Sequence, residues 1–211
     1  MDLLLRMVDI SAVVLGAVVL AVPIAMAVAN SSRGRGRSTG GGRAVAQWPL
    51  ATLATAVLVG MGILLWVPIP GSPSGVFAVR LTISGAVLYF PGISLYVWSL
   101  LTLGSEFGVS SAFGAGLYPN HRLIRRGPFG MVRHPMYLGV ILTAWGALLI
   151  FRTAAMLVFA PMSIVVIFRA RQEEKVLSAE FRETWVEYSE RVPKWLPRIS
   201  SKKHPKSRRP A

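Results

Sequence analysis

The stretch Arg133–Phe168, "RHPMYLGVILTAWGALLIFRTAAMLVFAPMSIVVIF", decides how the rest of the chain is read. It opens on an Arg-His-Pro corner and then holds one charge, Arg152, in more than thirty residues. Met136–Phe151 and Thr153–Phe168 read as two arms of a tight helical hairpin turning at Arg152. A bilayer core of about 30 Å needs about 20 helical residues, so each arm is slightly short and calls for tilt or local thinning.

Outward from this hairpin, the same apolar blocks recur. Of the 211 residues 53% are hydrophobic and only 15% charged, against roughly 25% charged in soluble domains. Val8–Ala29 is long enough to span, and "AMA" at Ala25–Ala27 imitates a signal cleavage site. Asp2 and Asp9 spoil the basic leader such a signal needs, which favours an uncleaved span. Trp48–Ile69 is a second span with tryptophans near its ends, and Gly60-Met61-Gly62 offers small residues for close helix contact. Val79–Leu103 is a third, with Pro91-Gly92 predicting a kink. The expected fold is an all-α integral membrane protein of about five spans, with an amphipathic cytoplasmic helix after the hairpin.

Three regions follow: residues 1–103 with three spans and a flexible Gly/Ser/Arg linker at 30–47, a loop–hairpin–helix region at 104–199, and a basic tail at 200–211. A net charge of +14 invites a nucleic-acid reading. The basic residues flank apolar blocks instead (Arg33, Arg35, Arg37 and Arg43 after the first), so the partners expected are membrane lipids and no nucleic acid. Five spans put the linker, the 104–135 loop and the tail on one side. That predicts the N-terminus outside and the C-terminus in the cytoplasm. The absence of cysteine excludes a thiolate metal site and a cysteine nucleophile.

Two constellations carry chemistry. His134 and Arg133 stand at the mouth of the hairpin, where Pro135 suits the first helical turn and free N–H groups await an anion. Tyr137 lies one turn inward. A lipid headgroup would also satisfy this corner. On the following helix Val176, Leu177, Phe181, Trp185 and Tyr188 form an apolar stripe suited to a membrane interface, bordered by Glu173 and Glu174. Arg169–Glu173 and Arg171–Glu174 also have ion-pair spacings, each worth about 0.2–0.5 kcal/mol. In the 104–135 loop the polar residues of interest are His121 and Glu106.

Taken in order, "H-x-L-x-x-x-GP-F-x-x-V-RHP-x-Y-x-G" from His121, then "EE-x-x-L" and "F-x-x-x-W-x-x-Y-x-x-RVPKWLP", closely resembles the isoprenylcysteine carboxyl methyltransferase family and the related phospholipid N-methyltransferases. The resemblance covers Leu103–Pro197. Phe129-Gly130 and Trp185 depart from the residues common there. It implies a membrane methyltransferase using S-adenosylmethionine, lined by His121, Arg133, His134, Tyr137, Glu173 and Glu174, with Arg133, Tyr137 and Glu174 closest to the chemistry. Its acceptor would be a lipophilic or lipidated molecule, such as an isoprenylcysteine-type carboxylate, a phospholipid amine or a thiol. Such a transfer needs alignment and exclusion of water, and neither a metal nor a covalent intermediate. An NADPH-dependent membrane reductase resembles the same region, although Val140 stands where those enzymes carry an acid. A non-catalytic membrane adaptor acting through its basic tail is the third reading.

Overall fold

The computed structural model describes residues 6–14, 16, 56–104 and 123–197. The 30–47 linker, His121, Glu106 and the basic tail lie outside the described residues. Among those described, regular structure is helical apart from one isolated antiparallel bridge between Pro68 and Thr153. Residues 6–14 and 56–64 are helical. After them come α1 (Gly75–Leu103), a 3-10 turn (Gly127–Gly130), α2 (Pro135–Phe151), α3 (Ala154–Met162) and α4 (Val165–Arg191).

Among the described residues, two helical runs are long and apolar enough to cross a membrane: α1, with 29 residues, and the 38-residue run Ala154–Arg191 that joins α3 to α4. Helix α2 is apolar but has 17 residues, as the short arm predicted. Helix α1 starts at Gly75, earlier than expected, and continues through Pro91 to Leu103 as one element. The second arm divides at Ser163–Ile164. Pro161 has no N–H to give its own helix, and Ser163 takes over the turn: its backbone N–H donates to Phe159 O at 3.0 Å and its hydroxyl to Ala160 O at 2.6 Å.

Helices α1 and α2 meet backbone to backbone. A Cβ added at Gly92 would lie 2.7 Å from Thr143 N, and one at Gly146 would lie 2.7 Å from Gly85 O. Lipid tails give little hydrophobic drive between helices, so close approach of small residues is what makes dispersion contacts dense. Gly60, by contrast, has open space where a Cβ would sit. Around the glycine seam Tyr89, Ile93, Ala147 and Ile150 bury together with Ala12, whose carbonyl accepts the Tyr89 hydroxyl at 2.6 Å. This bond carries the N-terminal helix onto α1.

The hairpin turn is held from two sides. Arg152 adopts a left-handed backbone (φ 49°) that ends α2, and its guanidinium donates to Thr82 Oγ1 at 3.0 Å and Leu149 O at 2.8 Å. The chain leaving residues 56–64 pairs with the same turn, Ile69 N donating to Arg152 O and Ala154 N to Val67 O, both at 2.9 Å. Thr153 caps α3 by accepting from Met156 N.

Helix α4 differs most from expectation. Arg182, with φ 42° and ψ −113°, breaks it between Phe181 and Trp185. The redirected end buries Trp185 and Tyr188 with Val192, and Leu123, Leu177 and Phe181 pack against them. The apolar stripe is thus largely used inside the protein; Val176 stays exposed. Tyr188 donates to Phe129 O at 2.7 Å, fixing the end of α4 to the 3-10 turn that precedes the Arg-His-Pro corner.

Candidate functional site

Pro135 is the first residue of α2 and His134 its N-cap, so the corner sits where the helix has N–H groups to spare. A returning strand of chain holds it in place. Arg133 N donates to Pro193 O at 2.9 Å and His134 N to Lys194 O at 3.3 Å. The 193–195 segment is therefore docked along residues 133–134.

Against this corner α4 brings Glu174. Its Oε1 accepts from Arg133 Nη1 at 2.9 Å and lies 3.0 Å from His134 Nε2, while Oε2 accepts from Lys194 Nζ at 2.6 Å. A carboxylate only accepts, so Nε2 is a protonated nitrogen of His134 and donates. His134 is 4% exposed, Arg133 17% and Glu174 18%. These are charge-assisted bonds in a half-desolvated setting, stronger than the surface ion pair expected with Arg171. Arg171 instead places its guanidinium over the Phe168 ring.

A second group lies beside the first. Arg169 Nε donates to the Tyr137 hydroxyl at 3.1 Å, and Glu173 acts electrostatically on both Tyr137 and His134. The rings of His134 and Tyr137 stack at 5.7 Å, and Trp195 tilts against His134 at 5.4 Å. The Arg133 guanidinium lies 5.8 Å from the Trp185 ring centre, and its Nε is buried with no hydrogen-bond partner among the described residues. The adjacent glutamates act differently: Glu174 bonds directly to Arg133, His134 and Lys194, whereas Glu173 lies toward Tyr137 and acts on His134 through its charge.

Burial lowers the His134 pKa from its usual 6.5, outweighing the Glu174 hydrogen bond and the two nearby glutamates. Burial also pushes Glu174 upward, but hydrogen bonds from Lys194 and His134 and the Arg133 charge prevail and hold it below 4.5. Both shifts have one consequence. An unfolded chain takes up a proton that buried His134 refuses, so stability falls as pH drops below about 6.5. The Glu174 contribution is lost only on further acidification, through its depressed folded value. Melting in detergent should therefore occur at lower temperature at pH 5.5 than at pH 7.5, and His134→Gln should flatten that difference.

Of the residues singled out in the sequence, Arg133, His134 and Glu174 are in mutual contact, with Tyr137 and Glu173 alongside; His121 lies outside the described residues. Lys194, Arg169, Trp185 and Trp195 join the site without having been singled out for it. Lys194 and Trp195 belong to the "RVPKWLP" run. Only the backbone pairing to residues 133–134 shows what that run is for.

Residues 81–184 match the family model described as phospholipid methyltransferase. The match takes in most of α1, the Arg-His-Pro corner and both glutamates. That segment is similar to the phospholipid methyltransferases. Methanethiol S-methyltransferase 2 of Bradyrhizobium diazoefficiens is 37% identical over 82 residues. The alignment covers 38% of this chain and 31% of that protein, so the chain spans about a third of the curated relative it matches. Within the phospholipid-methyltransferase match the corner and its glutamate are present, whereas Lys194 and Trp195 fall beyond its end.

Proposed function

We propose that the chain is an S-adenosylmethionine-dependent methyltransferase acting on a lipophilic acceptor at the cytoplasmic face of a membrane. The carrying observation is the Glu174 carboxylate joined to Arg133, His134 and Lys194. With His134 neutral, two cations and one anion leave this half-buried group at +1, and the Arg133 Nε has no hydrogen-bond partner among the described residues. The donor set thus fits a ligand that brings one carboxylate. The N-terminus of α2 adds N–H groups in the same place.

When bound, S-adenosylmethionine supplies a methyl on a positively charged sulfur, ready for in-line displacement. Arg133 and the start of α2 would hold its carboxylate. Glu173 and the Tyr137 hydroxyl suit its ammonium or ribose diol, while Glu174, with both oxygens engaged, keeps Arg133 and His134 in place. The apolar flanks, Trp185, Trp195 and Tyr137, exclude water and so strengthen each charged contact. In this reading five spans place the corner on the cytoplasmic side, where an acceptor arrives from the bilayer and the donor from water.

A carboxylate acceptor of isoprenylcysteine type needs no base. A thiol acceptor is the second reading, favoured by the activity that the Bradyrhizobium relative's name states. Membranes containing the protein, incubated with methyl-labelled S-adenosylmethionine, should yield one labelled lipophilic product by mass spectrometry. Label on a volatile thioether favours the thiol reading, and no label above that of membranes without the protein contradicts methyl transfer.

A further inference from the structure

The 193–195 segment raises a separate question, because it contributes to the corner twice and lies outside the matched 81–184 stretch. Its backbone accepts from both Arg133 and His134, and its Lys194 side chain takes the second oxygen of Glu174. Unoccupied, that oxygen would allow Arg133 to form a bidentate fork with the carboxylate, the geometry guanidinium prefers. With Lys194 there, Oε1 is shared between Arg133 and His134, and the guanidinium keeps donors for another acceptor. Lys194 also supplies the cation that makes the group +1; without it, Arg133 and Glu174 cancel.

We infer that Lys194 is a positioning residue of the methyl-donor site: through Glu174 it sets the orientation of Arg133, and it provides the excess positive charge that draws the donor's carboxylate. This rests on the methyl-transfer reading. It predicts a defect confined to the donor. The ammonium has no role toward an acceptor that approaches from the apolar side, so acceptor KM should be unmoved.

The test is isothermal titration of the full-length detergent-purified protein with S-adenosylmethionine, for wild type, Lys194→Met, Lys194→Arg and Lys175→Met. Lys175 is an exposed lysine one residue from Glu174 and serves as control. Lys194→Met should weaken donor binding about tenfold to hundredfold, the range of one charge-assisted bond. Lys194→Arg should restore most of the affinity, and Lys175→Met should match wild type. Raising salt should weaken wild type more than Lys194→Met. If Lys194→Met does not remain monodisperse, Lys194→Gln, which keeps a hydrogen-bond donor without the charge, carries the same expectation. Wild-type affinity in the uncharged variants overturns the role of Lys194 while leaving methyl transfer standing. Failure of wild type itself to bind S-adenosylmethionine removes the methyl-transfer reading and this inference with it.

Discussion

Glu174→Ala should abolish donor binding and lower the melting temperature together. Removing the carboxylate leaves Arg133 and Lys194 facing each other, half-buried, with nothing between them. Taking one partner from a buried ion pair costs about 3–5 kcal/mol, and the partial exposure of Glu174 puts this case near 3. Glu174→Gln separates charge from shape. It keeps an oxygen for Arg133 but presents an amide N–H to one of the cations, so it should recover part of the stability and little of the binding. Thermal unfolding in detergent beside titration with S-adenosylmethionine measures both. A Glu174→Ala protein that binds the donor as wild type does would show that the ion cluster only stabilises the fold.

Gly146→Leu should prevent assembly of α1 against α2. Any side chain at this position begins with a Cβ 2.5 Å from Tyr89 N and 2.7 Å from Gly85 O. Overpacking a side chain costs about 1–3 kcal/mol, and here backbone must yield, since no rotamer relieves a Cβ clash. Even Gly146→Ala should lower stability, although alanine is the better helix former by about 1 kcal/mol. Gly60→Ala is the internal comparison: open space awaits its methyl, so it should be neutral or mildly stabilising. Size-exclusion profiles and melting temperatures of the three variants distinguish them. Equal behaviour of Gly146→Ala and Gly60→Ala would mean the two helices do not pack as described.

The difference between those glycines shows where sequence reading stops. Gly60-Met61-Gly62 and the α1–α2 glycines look alike as small residues in apolar helices. Which of them face a neighbour depends on helix rotation, and helices that are apolar all round carry no polar face to report it. Hairpin and α1 were legible because an unbroken apolar run has few other homes, and the Arg152 turn because one charge interrupts it. The break at Ser163–Ile164 was not, because the sequence on either side of Pro161 is equally apolar. Nor was the kink at Arg182, a backbone state few non-glycine residues adopt, held here by the burial of Trp185 and Tyr188. At the site, Arg133, His134 and Glu174 stood out by residue type and order. Lys194 did not, since a lysine just past a helix in a basic stretch resembles any solvated charge until its backbone partners are known.

Titration of purified wild type and Arg133→Ala with S-adenosylmethionine in lipid nanodiscs tests most directly whether the Arg133–His134–Glu174–Lys194 cluster holds a methyl donor. The expected result is single-site binding by wild type that Arg133→Ala loses while remaining folded. Wild type giving no binding, or Arg133→Ala binding with unchanged affinity, would contradict it.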